Sequence, residues 1–330
     1  MVESLRRVRE ITDLPASVAR LEVRHGAVVS ILQPERTVIH WSEAGGVYLH
    51  DPIDLRSTLL ARVPGWIRRA TPAPDQKRVA VFSLPANGPY HTGTISIIGR
   101  DGALLASEPR SGASDCVWFG DDLAIATCFR SKADTECAQI WSADLTRKLA
   151  ILPGESSGLE LDAAGGLLAV GCAHDHLLWR PVEDSPFSLM RSAFAPPSEV
   201  SGGVLSRDGR LSAVAHHARG DEPQALIYST DSPMRAAEIA DPRAIAQLDF
   251  SPSGAFLAAL LPEPAATILR RDERGKLVAF DDPTPAAVRV YRSADGSVVG
   301  EIPNPNARTL AWLDDETLLL GGRTLSAWTW

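Results

Sequence analysis

A recurring hairpin constrains this chain more than any other feature. At Ile245–Leu261, IAQLDFSPSGAFLAALL, two apolar runs flank Ser251-Pro252-Ser253-Gly254. In that turn the proline presets φ and the glycine tolerates the left-handed region. Each run has strand length, and the second is almost wholly apolar, as a strand covered on both faces must be. Variants recur at Val28–Trp41, Ile67–Ser83, Cys116–Cys128, Leu159–Cys172, Gly203–Ala215 and Thr309–Gly322, which makes seven occurrences. Each is followed by a short strand ending in an aromatic residue or its substitute, a polar turn and a further strand, as in QIWSADLTRKLAIL and VRVYRSADGSVVGEI. The copies lie about 40 to 46 residues apart, with one wider interval.

A four-stranded unit at that period is the mark of a β-propeller blade. The last copy, LSAWTW, stops at Trp330 with no fourth strand after it. Ser17–Arg24, SVARLEVR, alternates with period two and is the expected donor. Paired with Thr324–Trp330, it would close the ring and leave no open sheet edge. The expected fold is thus all-β, a single seven-bladed β-propeller over 17–330 closed by an N-terminal strand. Residues 1–16 are expected to form an N-terminal extension with a short helix at Glu3–Ile11.

The pattern resembles the WD40-repeat family from about Ser17 onward. Matching residues are Ser251-Pro252-Ser253-Gly254, Ser206-Arg207-Asp208-Gly209, and the Trp or Tyr at 141, 179, 228, 291 and 328. The strand ends read Trp141-Ser142 and Trp179-Arg180 where the family has Trp-Asp, and the family's Gly-His pair is absent. The resemblance implies the propeller architecture. The Pro-Asp type of repeat, found in six-bladed propellers and beside hydrolase domains, is the neighbouring alternative.

Composition narrows the partners. The net charge of −8 argues against a phosphate-backbone ligand, which needs a basic face. Lysine occurs only at 77, 132, 148 and 276, while Arg and Ala abound, the codon bias of a GC-rich and by expectation bacterial genome. Cys116, Cys128, Cys137 and Cys172 form no C-x-x-C pair and, in so long a chain, imply no disulfide framework. MVESLRRVREITDLP is charged throughout, and no window approaches the roughly 18 apolar residues of a membrane span. The expectation is a cytoplasmic monomer that binds neither nucleic acid nor membrane.

In a blade whose strands run a to d outward, the b–c and d–a connections emerge on one face. The b–c connections are expected to be short in unit 1 (around Glu43-Ala44-Gly45), unit 4 (His174-Asp175) and unit 7 (Gly321-Gly322-Arg323). They lengthen at Pro85–Gly93, Phe129–Glu136 and His216–Pro223, and most at Pro262–Pro285. Surface insertions cost little, so length alone can be drift. The unit-6 insertion has pattern as well: ATILRRDERGKLVAF reads as a projecting hairpin bracketed by prolines. Candidate partner-binding residues are Trp66 at the opening of unit 2, Arg130 and Lys132, His217 and Arg219, and Arg270, Arg271, Glu273, Arg274 and Lys276 of the hairpin.

Chemistry is less well represented. His174, His176 and His216 fall on neighbouring units and are the candidate metal ligands, although the resemblance gives Asp175 the structural task of holding its turn. Nothing resembles an activated nucleophile, and no glycine-rich loop opens a helix. The openings of the innermost strands offer Arg24, Arg68, Asp115, Glu160, Glu199, Arg243 and Arg308, a mixed set with no acidic ring. The expected function is a non-catalytic protein–protein interaction scaffold without cofactor, whose partner is another protein or peptide. A metal-dependent propeller hydrolase or lyase with its site at the channel mouth is the alternative.

Overall fold

The structure is a computed structural model. It describes residues 3–14, 16–33, 45–85, 92–127, 136–154, 158–172, 175–182, 185–194, 200–216, 223–232, 235–241, 243–262, 267–271, 277–281, 285–303 and 306–330. Seven sheets of at least four strands form the blades. Blade 1 comprises Ser17–Arg24, Ala27–Gln33, Gly45–His50 and Ser57–Val63 as strands a to d. Blade 2 runs Trp66–Pro72, Arg78–Leu84, Thr92–Gly99 and Leu104–Ser111, and blade 3 Ala113–Phe119, Asp122–Thr127, Glu136–Trp141 and Lys148–Pro153. Blade 4 is Gly158–Ala164, Leu167–Cys172, His176–Val182 and Ser185–Phe194; blade 5 is Val200–Leu205, Leu211–His216, Ala225–Ser229 and Arg235–Ile239. Blade 6 holds Gln247–Phe250, Phe256–Pro262, Pro285–Arg292 and Val298–Pro303, and blade 7 opens with Ala307–Trp312, Thr317–Gly322 and Leu325–Thr329. Each strand a touches its neighbours in chain order, and that of blade 7 touches that of blade 1, so the ring is closed.

The closing strand is not the expected one. Ser17–Arg24 pairs with Ala27–Gln33 and is the innermost strand of blade 1. Arg6–Ile11 instead pairs antiparallel with Leu325–Thr329 and completes blade 7. Just before it, Glu3–Ser4 adds a parallel fifth strand to blade 6. The segment read as a helix and as part of an extension is therefore strand, clasping blades 6 and 7 together, with Leu5 buried between them. The same correction shifts unit 1. Val28–Trp41 is not an a–b hairpin, because Val28 already lies in strand b; the a–b turn is His25-Gly26, both at positive φ. Strand b is described to Gln33 and strand c from Gly45; of the expected b–c connection around Glu43-Ala44-Gly45, Gly45 already belongs to strand c, and Glu43 and Ala44 lie outside the described residues.

The remaining hairpins lie where the sequence puts them. Their c–d turns are shaped by aspartates that accept a main-chain N–H two residues on, at Asp51, Asp101, Asp144 and Asp295. The core lies between the blades and recurs seven-fold as the apolar faces of strands a, b and c. Trp118, Phe250 and Trp312 are buried there, and two of them reach back to the preceding blade. Trp118 Nε1 donates to Thr71 O at 3.0 Å and Trp312 Nε1 to Asp249 O at 3.1 Å.

Candidate interaction surface at the channel mouth

The inner edge of each strand a is a sheet edge facing the central channel, with alternate N–H and C=O groups unpaired by its own sheet. Buried groups of that kind need partners. The preceding blade supplies them. Asp115 of blade 3 accepts from Leu161 N of blade 4 at 2.9 Å, and Asp162 of blade 4 accepts from Leu205 N of blade 5 at 2.7 Å. Asp249 of blade 6 accepts from Trp312 N of blade 7 at 2.8 Å, while Gln247 both accepts from and donates to Leu310. Thr309 of blade 7 accepts from Leu21 N of blade 1 at 3.1 Å, and Arg20 of blade 1 donates to Arg68 O of blade 2 at 3.3 Å.

These side chains occupy equivalent positions. In six blades a bulge interrupts the a–b pairing just before Arg20, Arg69, Asp115, Glu160, Gly202 and Thr309. Gln247 stands at the same distance from its turn as Gly202. Two residues further on, the same face carries Glu22, Asp162 and Asp249. The ladder lapses between blades 5 and 6, where Gly203, Val204, Ala215 and Ile245 give the wall an apolar stretch.

The buried charges neutralise one another. Arg69 binds Asp115 Oδ2 at 2.8 Å, Glu22 Oε1 at 3.1 Å and Leu161 O at 2.6 Å. Arg24 binds Glu22 Oε1 at 2.7 Å, Ala163 O at 2.7 Å and Asp162. Burial pushes the Glu22 carboxyl up, but Arg69 and then Arg24 outweigh it and hold it at about 2. Asp249 makes no ion pair among the described residues; burial lifts it to about 7 against the Trp312 N–H and the more distant charge of Arg24. Burial also raises Glu160, opposed first by Arg20. This wall corrects the expected mouth. Arg24 ends strand a of blade 1 and does not open it, and the inner wall carries five carboxylates: Glu22, Asp115, Glu160, Asp162 and Asp249. The sequence held a signal for it in the repeated polar–Leu–acid triplets Arg20-Leu21-Glu22, Glu160-Leu161-Asp162 and Gln247-Leu248-Asp249.

The expected site residues fall as follows. Trp66 is partly buried and opens strand a of blade 2, opposite Leu84. It follows Gly65, whose φ of +82° brings the chain so close that a Cβ would sit 2.0 Å from Leu84 O. Within the 262–285 insertion, Thr267–Arg271 pairs with Leu277–Asp281, setting Arg270 opposite Val278 and Arg271 opposite Leu277. Arg130, Lys132, His174, His217, Arg219, Glu273, Arg274 and Lys276 lie outside the described residues. His176 begins strand c of blade 4, fully buried, and shares a 2.8 Å hydrogen bond with Ser212 Oγ. Burial holds its pKa down at about 4, so the ring is neutral. Its ring displaces any side chain at Gly203, whose Cβ would lie 2.5 Å from His176 Cε1. His216 is likewise buried, at the end of strand b of blade 5. Among the described residues no group of three His, Cys, Asp or Glu is placed to hold a metal ion, and no helix is long and apolar enough to cross a membrane.

No protein-family profile and no curated protein sequence matches this chain. Solved structures do. The chain is similar to one in the crystal structure of the mitotic checkpoint complex, with a TM-score of 0.68 and 13% identity over 98% of this chain and 95% of that one. It is similar to the WD40 β-propeller domain of Doa1, with a TM-score of 0.64 and 10% identity over 98% and 97%. It is also similar to U3-55K, with a TM-score of 0.66 and 11% identity over 98% of both chains. The fold is that of a seven-bladed β-propeller, the architecture it shares with the WD40 propeller domain of Doa1. At such identities the likeness establishes architecture alone.

Proposed function

We propose that this chain is a non-catalytic scaffold that holds another protein or peptide against the face where the b–c and d–a connections emerge. The observation that carries this reading is the ribbon Thr267–Arg271/Leu277–Asp281. It belongs to no blade, and its two strands form a sheet of their own. A two-stranded ribbon is marginal by itself in water, so a partner surface is the natural second support for it. Its cationic residues Arg270, Arg271, Arg274 and Lys276, with Glu273, then supply the polar contacts. Trp66 supplies an aromatic anchor of the kind that concentrates binding energy, and Arg130, Lys132, His217 and Arg219 extend the surface around the ring. The structural neighbour from the mitotic checkpoint complex, a chain that is part of an assembly, fits the same reading.

Excision of Ala265–Phe280 tests it. The blade-6 strands pair without the ribbon, so the thermal transition should stay nearly unchanged while recovery of partners in pull-downs is lost. Unchanged recovery would place the site elsewhere on the molecule.

A further inference from the structure

We propose that the channel mouth on this same face receives an acidic segment of the protein partner, a carboxylate side chain flanked by an apolar one. This rests on the scaffold reading and names the chemistry of what is held.

Two arginines of the channel are not available to a ligand: Arg24 and Arg69 already face two carboxylates and a carbonyl each. Arg20 and Arg68 stand differently. Arg20 has a single long bond to the Arg68 carbonyl, and among the described residues neither Arg20 nor Arg68 has a carboxylate within 4.0 Å. Arg68 is exposed, as is Arg308 on the blade-7 side of the same opening. Consecutive blades 7, 1 and 2 therefore present Arg308, Arg20 and Arg68 as an arc. Two acids share that level: Asp115, already held by Arg69 at 2.8 Å, and Glu160, whose carboxyl is pushed toward its neutral form by burial. In a chain of net charge −8 this mouth is locally cationic.

The space behind it fits a side chain or two. The cavity measures about 360 Å³, within the range of small ligand sites. Its blade 5–6 wall is apolar at Val204, Ala215 and Ile245, whereas Glu22, Asp162 and Asp249 line its deeper part. An anion is thus attracted at the rim and repelled further in, so the carboxylate stops at Arg20 and Arg68. The neighbouring apolar group of the segment then covers the blade 5–6 wall.

Calorimetric titration of the full chain with an end-blocked Glu-Leu-Glu-Leu-Glu peptide tests this, with Gln-Leu-Gln-Leu-Gln as the uncharged counterpart. The Glu peptide should bind and the Gln peptide bind about tenfold more weakly or worse, since charge-assisted hydrogen bonds are the stronger kind. Arg20→Gln/Arg68→Gln should lose that difference, and so in part should Arg68→Gln alone, an exposed change that spares the fold. Arg207→Gln, in the a–b turn of blade 5 at the other end of the cavity, should keep it. Raising salt from about 0.1 M to about 1 M shortens the screening length from about 10 Å to about 3 Å and should weaken the Glu peptide selectively. Equal binding of both peptides, no binding of either, or greater loss in Arg207→Gln than in Arg68→Gln overturns the assignment. The ribbon excision reads partner recovery and this titration reads the probe alone. A mouth that ignores the Glu peptide while the excised variant still loses its partners therefore sinks this inference and leaves the scaffold standing. Glu-peptide binding that persists while excision changes nothing does the reverse.

Discussion

Asp249 lines the channel with a carboxyl that burial raises to about 7 from its usual 3.8, against the Trp312 N–H and the charge of Arg24, with Asp162 and Glu22 adding repulsion. Its folded value lies above its unfolded one. Between roughly pH 4 and pH 7 the folded chain therefore keeps a proton that the unfolded chain has released, and stability declines as pH rises through that window. Asp249→Asn keeps an acceptor for Trp312 N and removes the titration. The variant should gain on the wild type across this window and hold a constant margin above it. Thermal unfolding of both proteins over about pH 4 to pH 8 reads the difference; a margin that does not change with pH would show that Asp249 is ionised throughout. Glu22 acts in the opposite sense and lower down. Its value is depressed to about 2, so the stability it lends is lost only as pH falls below its usual 4.5. Among the polar residues of strand a, sequence reading found Asp115 and Glu160 but not their use. A carboxylate inside an apolar run looks like an interruption until the free edge of the next blade is beside it.

Turns and strands were the most legible elements, because a two-residue period and Pro, Asp and Gly at fixed places are local properties. Gly65 is one such local choice with a tertiary reason. Alanine there meets both the left-handed φ of +82° and the Leu84 carbonyl at 2.0 Å, whereas Gly120, with φ +61°, has nothing within 4 Å. We expect Gly65→Ala to cost about 1–3 kcal/mol and Gly120→Ala about 1 kcal/mol or less in urea unfolding. Equal losses would mean that backbone conformation alone, not the close approach that seats Trp66, makes the glycine necessary. Arg6–Ile11 shows where local reading stops. An outermost strand has solvent on its open side, so RRVREI, nearly all exposed, carries the charges of an extension or a short helix. Nothing local marks it as the last strand of a blade whose other strands lie some 300 residues away.

At the scale of the ring, closure is made by that clasp. Residues Glu3–Ser4 and Arg6–Ile11 tie blade 6 to blade 7, and Leu5 between them is buried in the blade 6–7 core. Removing residues 1–11 exposes the edge of Leu325–Thr329 and forfeits about 1.5–3 kcal/mol for Leu5 alone. The truncated chain should melt earlier and self-associate through the open edge, seen as a concentration-dependent mass in light scattering. A truncated chain that stays monodisperse with an unchanged transition would show that the ring closes through its inner strands alone. Closure also sets which connections share a face, so the ribbon of blade 6 and the arginine arc of blades 7, 1 and 2 come to one side only because the ring is complete.

The seven-fold repeat, the all-β class, the a–b hairpins from blade 2 onward and the ribbon were determined by the sequence, since each is written in side-chain period and turn chemistry within a few dozen residues. Which N-terminal strand is innermost and which is outermost was decided only in three dimensions. Ser17–Arg24 and Arg6–Ile11 both pair acceptably as strands, and the choice between them depends on which edge each must cover. The carboxylate ladder and the cationic mouth were decided there too, because they join residues of successive blades whose only common property is that they face one channel.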